Sequence, residues 1–151
     1  MTVTTVDVLS PFHLAIPVTD VKAALRFYEE MLRCERGRQS SDWVDLNFYG
    51  HQLVLHQVTA HEGLSGSNVV DGEQVPVPHF GVILPWPDFE ALAERLASSG
   101  AVFEILPTTR FVGRVGEQRT LFLKDPSGNC LEFKAFRDPS RLFATDLEAY
   151  P

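Results

Sequence analysis

The chain repeats one order of predicted elements, and this repeat constrains the fold more than any other feature of its 151 residues. Apolar side chains alternate along residues 12–18, which predicts a half-buried strand. A stripe at helical spacing and three further strand segments complete the first half. The same order begins again at residue 79. Because each half offers one incomplete sheet, the repeat predicts an α+β fold in which the halves complete each other.

The boundaries follow from where the pattern stops. We predict a first module over residues 11–58, a second over 79–136, and a polar tail over 137–151. The intervening residues 59–78 lose the pattern and contain several glycines and prolines, which indicates a connector between the modules. A connector of this length is unusual in a compact domain and suits a lid or a subunit contact.

Capping signals support the repeat. Thr19 or Asp20 precedes the first predicted helix and Asp88 the second, where a side-chain oxygen accepts from unpaired amides. Gly100 stands where a helix prefers a left-handed residue. The alignment that matches Asp20 with Asp88 also matches Gly50 with Gly128, once ten extra residues are assigned to the longer 107–118 segment.

Composition excludes several classes of function. The net charge is −7 and the sequence has no cluster of Lys and Arg, so a nucleic-acid partner is excluded. No apolar run approaches the roughly 20 residues of a membrane span, and the N-terminus lacks a signal-peptide pattern. Cys34 and Cys130 are isolated and are expected as reduced thiols. We therefore expect a cytoplasmic protein that does not bind membranes.

Glu132 is the most informative single residue. The strand predicted over residues 129–136 places Leu131 and Phe133 on one face and Glu132 on the other. An enclosed carboxylate must pair with a cation, bind a metal or become neutral, because an unpaired buried charge is costly. The alternative is a half-exposed strand with Glu132 and Lys134 on its wet face.

Two histidines complete a recognisable set. His13 and His79 lie on the first strand of each half, and a Pro126-Ser127-Gly128-Asn129 turn leads into the strand that carries Glu132. With the βαβββ-βαβββ order, these features resemble the vicinal oxygen chelate superfamily over about residues 11–136. That superfamily holds glyoxalases, extradiol dioxygenases, fosfomycin-resistance thiol transferases, methylmalonyl-CoA epimerases and bleomycin-binding proteins. The resemblance implies two βαβββ modules whose paired, cupped mixed sheets surround a central metal cavity.

The resemblance also implies that His13, His79 and Glu132 bind a divalent metal. The strand pattern agrees, because each of the three lies opposite the bulky aliphatic residues of its strand. Neutral imidazoles and a carboxylate suit Fe, Mn, Zn or Ni in the divalent state. A lone strand histidine is more often a hydrogen-bonded core residue, but two at equivalent positions of a repeat favour a metal site.

The family's fourth ligand position departs from the pattern. Glyoxalases and epimerases carry Glu or Gln there, whereas the repeat places Val54 at that position. Gln52 and His56 share the face of Val54 and could replace it only through a two-residue slip of about 6 to 7 Å. We otherwise expect His56 beside the open coordination positions as a catalytic acid, a base or a substrate contact. His51 lies on the opposite face.

Three protein ligands favour an extradiol-type dioxygenase that acts on a small bidentate oxygen ligand. Glyoxalase-type isomerisation needs a carboxylate ligand that moves a proton, and valine cannot supply it. His56 and Tyr49 are the candidates for the further His and Tyr that such dioxygenases carry. A glyoxalase-type lyase or isomerase and a thiol transferase are alternatives. A non-catalytic bleomycin-resistance-type binding protein is another, although retention of the three ligands counts against it.

Residues 107–118 are the expected specificity element. Arg110 and Arg114 could hold an anionic substrate group, and we assign Arg110 and Gln118 to substrate binding together with Gln52 and Tyr49. The alternative is an exposed hairpin loop with solvated charges. We expect a homodimer, with the tail docked on the domain or on the second subunit.

Overall fold

A computed structural model of the protein describes residues 9–59, 66–70 and 72–145 as a mixed α+β fold, as predicted. The strands are β1 (His13–Val18), β2 (Glu35–Gln39), β3 (Trp43–Phe48), β4 (His51–Gln57), β5 (Gly66–Val70), β6 (Glu73–Val77), β7 (Phe103–Arg110), β8 (Gln118–Lys124) and β9 (Cys130–Phe136). The helices are α1 (Val21–Leu25), which continues as a π-helix over Arg26–Met31, and α2 (Trp86–Ser98). A 3-10 turn, Pro139–Arg141, follows β9. In the part of the chain described, no helix combines the length and the apolar character that crossing a membrane requires.

The first sheet has the order β1-β4-β3-β2. Strand β1 runs parallel to β4, with His13 opposite Gln52, and β4 runs antiparallel to β3, with Asp45 opposite Val54. Strand β4 keeps one register with β1 and β3 along its length. Paired residues share a face of the sheet, and therefore His13 and Gln52 lie side by side.

The second sheet has the order β7-β8-β9 and is antiparallel throughout. Residues 79–84, predicted as a strand, run beside β9 as isolated parallel bridges rather than as a continuous strand. Their hydrogen bonds include Glu132 N to Phe80 O (2.8 Å) and Leu84 N to Lys134 O (2.8 Å). This ladder brings His79 next to β9.

One hydrophobic core fills the space between the helices and one face of each sheet. Leu53 and Leu55 of β4 and Leu131 and Phe133 of β9 are buried in it. Because side chains alternate along a strand, the residues between them face the other side of each sheet. Glu132 therefore points away from the main core, as its strand pattern predicted.

The connector contains a β-hairpin that the sequence pattern did not predict. Strands β5 and β6 pair antiparallel with each other, and Val75 packs with Ile105, Phe122 and Cys130 on the face of the second sheet that carries Glu132. The prediction missed the hairpin because every residue of β5 is exposed, so the strand has no apolar alternation. The remaining connector residues, 60–65 and 71, lie outside the described part.

The helix starts were predicted with mixed success. Asp20 caps α1, and its Oδ1 accepts from the amides of Lys22 and Ala23. The prediction for Asp88 was wrong, because α2 already begins at Trp86 after Pro85. Pro87, in the first turn of α2, has no amide hydrogen that needs a partner, and its φ suits a helix. The helix can therefore start earlier than predicted.

The predicted 107–118 loop was too long. Strand β7 extends to Arg110, β8 begins at Gln118, and only residues 111–117 connect them. The β-branched pair Thr108 and Thr120 continues the ladder where a loop was expected. Beyond β9, the guanidinium of Arg137 stacks 4.0 Å from the Trp86 ring centroid, so the start of the tail docks on the domain. Residues 146–151 of the tail lie outside the described part.

Candidate metal centre

The structure brings His79 and Glu132 together. His79 Nε2 lies 2.9 Å from Glu132 Oε2, and both side chains are largely shielded from solvent. The parallel ladder between residues 79–84 and β9 produces this contact, because it holds the residue before Phe80 against the strand that carries Glu132.

The orientation of His79 is fixed from two sides. Its Nδ1 lies 2.6 Å from the carbonyl oxygen of Pro76, which can only accept, so Nδ1 carries the hydrogen. Its ring packs edge-on against Phe122, with centroids 5.0 Å apart. In the neutral ring, Nε2 then presents a lone pair to the carboxylate. Two acceptors at 2.9 Å require a cation between them, either a proton on Nε2 or a metal.

Neighbouring groups keep Glu132 ionised. Thr120 Oγ1 donates to Glu132 Oε1 (2.7 Å), and Lys134 Nζ lies 3.7 Å from the same oxygen. Burial alone raises the pKa of Glu132, but the hydrogen bond from His79, the charge of Lys134 and the hydroxyl of Thr120 lower it below its usual value. The hydrogen bond to Glu132 raises the pKa of His79 against the opposing effect of burial.

This donor set fits a divalent metal ion. Imidazoles and carboxylates that bind a metal usually make a further hydrogen bond that orients them. His79 makes such a bond through Nδ1 to a carbonyl, and Glu132 makes one through Oε1 to the Thr120 hydroxyl. Nitrogen and carboxylate oxygen together suit the borderline divalent ions.

His13 lies on the first sheet, apart from this pair. Its side chain is exposed, and its Nδ1 lies 2.7 Å from Gln52 Oε1. Donation from Nδ1 to that oxygen leaves Nε2 as a free acceptor, as in His79. Within the described residues, no group of three or more His, Cys, Asp or Glu side chains is placed to hold one ion. One chain thus brings together two of the three predicted ligands.

The other first-sheet candidates lie at different points and are not gathered around His13. Val54 is buried in β4 opposite Ala15, and His56 is exposed opposite Pro17. Tyr49 adopts a positive φ of 52° in the β3–β4 turn, and its ring packs against Phe133, on the core side.

Arg110 and Gln118 are paired across β7 and β8 and are both buried, with exposures of 5% and 7%. They share the face of the second sheet that carries Phe122 and Glu132, farther along the strands. The interpretation of Arg110 as a solvated loop residue was therefore wrong.

A cleft of about 650 Å³ reaches His79. It is lined by β1 residues such as Leu14 and Pro17, by hairpin residues such as Gln74 and Val77, and by the turn before β9, including Asn129. Its volume is that of a small-molecule site.

Sequence reasoning missed two supports of the site. Thr120 alternates with Phe122 and therefore shares the face of Glu132, a signal that becomes readable once β8 is paired with β9. The carbonyl of Pro76 gave no signal, because any residue at that position carries one.

Comparison with known proteins agrees with the fold. Residues 10–133 match the Glyoxalase/Bleomycin resistance protein/Dioxygenase superfamily. Virulence protein STM3117 of Salmonella typhimurium is 26% identical over 124 residues, 82% of each chain. A glyoxalase/bleomycin resistance protein/dioxygenase from Alicyclobacillus acidocaldarius has 33% identity and a TM-score of 0.73, over 89% of this chain and 96% of that one. The fosfomycin resistance protein FosX of Listeria monocytogenes shares the fold at 15% identity, with a TM-score of 0.65 over 89% of this chain and 99% of its own. The chain therefore belongs to the Glyoxalase/Bleomycin resistance protein/Dioxygenase superfamily.

Proposed function

We propose that the protein is a divalent-metal-dependent enzyme acting on a small molecule that binds the metal through two oxygens. The observation that carries this proposal is the facing pair of His79 Nε2 and Glu132 Oε2, 2.9 Å apart, with the other imidazole nitrogen already used on a carbonyl. Membership of a superfamily that includes enzymes supports it. The cleft that reaches His79 supplies space for a substrate.

His79 and Glu132 hold the metal in this proposal, and His13 is the third ligand. The exposed Nε2 of His13 is available, and Gln52 orients its ring through Nδ1. Gln52 thus acts on His13 and does not itself bind the metal. Because His13 lies apart from the pair in one chain, a second copy supplies it in a homodimer.

The favoured reaction is extradiol-type dioxygenation. His13, His79 and Glu132 would hold Fe(II), which would supply the oxygen chemistry of such a dioxygenase. Thr120 and Lys134 keep Glu132 ionised as a ligand. The apolar side chain of Val54 leaves the fourth ligand position of glyoxalases without a donor, which speaks against a proton-transferring carboxylate there. His56, which pairs with Pro17 and not with His13, is the proposed acid or base, and Tyr49 the proposed substrate contact.

Metal analysis of protein purified without chelator tests the proposal. We expect about one divalent ion per chain in the wild type and at least about a tenfold weaker affinity in Glu132→Gln, because the amide is a poorer ligand than the carboxylate. Glu104→Gln is the matched control, since Glu104 lies on β7 and pairs with Lys124 at the surface. Absence of stoichiometric metal in the wild type contradicts the proposal.

Activity then separates the reactions. Oxygen uptake that depends on iron and a catechol supports the dioxygenase. Metal-dependent conversion of a glutathione hemithioacetal without oxygen uptake supports the glyoxalase-type alternative, and thiol-dependent opening of an epoxide supports a transferase. Ligand binding without metal or turnover supports the bleomycin-resistance-type alternative.

A further inference from the structure

Arg110 carries a buried charge that the described residues do not neutralise. Its Nη1 donates to the carbonyl oxygen of Val70 in β5 (2.6 Å), whereas Nε and Nη2 are buried without a hydrogen-bond partner. Among the ion pairs of the described residues, none involves Arg110. Burying a guanidinium without a counter-charge is costly, so this site is incomplete without an anion.

The two unused nitrogens identify the class of anion. Nε and Nη2 form the side-on edge of the guanidinium, whose parallel N–H groups match two oxygens of a carboxylate or a phosphate. The contact with Val70 uses Nη1, which lies outside that edge. A bidentate anion can therefore bind while the existing hydrogen bond is kept.

The same face of the sheet connects Arg110 with the metal ligands. Arg110 pairs with Gln118, Thr108 pairs with Thr120, and Phe122 pairs with Glu132. Between Arg110 and Glu132, the side chains on this face of β8 are polar: Gln118 lies beside Arg110, and Thr120 follows it toward Phe122. From Gln118 to Phe122 the strand advances about 13 Å, at roughly 3.3 Å per residue. Gln118 and Thr120 are themselves buried, so Arg110 forms a separate, enclosed site on this face.

We infer that Arg110 binds a carboxylate or phosphate anion through its Nε and Nη2. This inference stands apart from the proposed metal function and has its own physical basis in the unpaired guanidinium. Gln118 is the second polar group at the site. The hairpin strand β5 covers the guanidinium through Val70, so an anion enters when β5 moves from the sheet. Within the described residues, β5 hydrogen-bonds as a strand only to β6, which permits that movement.

Thermal unfolding of chelator-treated protein tests the anion site without any metal. Inorganic phosphate and acetate are titrated separately at constant ionic strength, with chloride as the reference. At ten times its dissociation constant, the preferred anion should raise the Tm by about 3 to 6 °C. Arg110→Met should lose this shift, since it keeps the length of the side chain and removes the charge. Arg26→Gln, at an exposed position of the first helix, should retain it.

Each outcome decides the question. A shift with phosphate alone assigns a phosphate group, and a shift with acetate alone assigns a carboxylate. No shift with either anion, or a shift that persists in Arg110→Met as an adventitious ion effect only, overturns the inference. Should Arg110→Met fail to fold, Arg110→Lys keeps the charge without the two-pronged edge and should bind the anion at least tenfold more weakly; unchanged affinity overturns the inference. Failure of the proposed metal function leaves these results unaffected.

Discussion

Among the described glycines, Gly81 has the least room for a side chain. A Cβ at this position would overlap the backbone carbonyl oxygen of Glu132. Its φ lies outside the left-handed region, so the requirement is close approach of two backbones and not an unusual conformation. The contact between His79 and Glu132 depends on that approach, because the same ladder carries both residues.

Gly81→Ala should therefore damage both stability and metal binding. We expect a loss of about 1–3 kcal/mol in the free energy of unfolding, since overpacking forces the backbone of β9 to shift. Urea unfolding and a metal titration measure the two effects. Gly66→Ala is the matched control, because a Cβ there meets nothing within 4 Å. Equal stability of the two variants would show that β9 can move without penalty.

The sequence predicted which way the site residues face, but not all that surrounds them. Alternation alone put Glu132 opposite Leu131 and Phe133, because strand geometry is local. The burial of Arg110 depends on a contact with Val70, 40 residues away, for which the local pattern carries no signal. The alternative of a solvated arginine failed for that reason.

At the scale of elements, the turn before β9 joins the two halves of the chain. Asp125 is 4% exposed; its Oδ1 accepts from the amides of Ser127 and Asn129, and its Oδ2 accepts from the Tyr28 hydroxyl (2.9 Å). The Asn129 side chain donates to the carbonyl of Pro17 at the end of β1. Burial, followed by the charge of Asp125, raises the pKa of Tyr28 well above its usual value, so the hydroxyl stays a donor.

Replacement of Asp125 should be among the most destabilising changes at this turn. We expect Asp125→Asn to cost about 2–4 kcal/mol, because several hydrogen bonds to one buried carboxylate weaken together, and Tyr28→Phe to cost about 1 kcal/mol. Urea unfolding of both variants and of the double variant gives their coupling. The exposed Asp88→Asn should change stability by less than about 1 kcal/mol. A similar loss in Asp125→Asn and Asp88→Asn would contradict the role of the turn.

Most element positions could be predicted from local patterns, and the exceptions have physical causes. Strand β1 alternates because one of its faces is buried, so its predicted range of residues 12–18 was close to His13–Val18. The hairpin β5–β6 has one buried residue, Val75, and its pairing is set by hydrogen bonds instead of by burial. The start of α2 was predicted too late because Asp88 was taken as the capping residue. The helix begins at Trp86 and has Pro87 in its first turn.

At the scale of the molecule, the repeat divides the predicted ligands between two sheets. The first sheet carries His13 with Gln52 beside it, and the second carries Glu132 next to His79. Sequence symmetry predicts both groups but cannot assign partners, since either half can be completed by its twin in the same chain or in a second copy. Which arrangement forms depends on surfaces far apart in the sequence.

Complementation between two inactive variants distinguishes these arrangements. His13→Ala and Glu132→Ala are each expected to lose metal as homodimers. Coexpressed with different tags and purified through both, they form a mixed dimer in which one site keeps His13 from one copy and the His79–Glu132 pair from the other. A shared site predicts about one ion per mixed dimer, because one of two symmetric sites is intact. A site within one chain leaves every chain broken and predicts none. Two differently tagged His13→Ala copies are the control and should bind no metal under either arrangement.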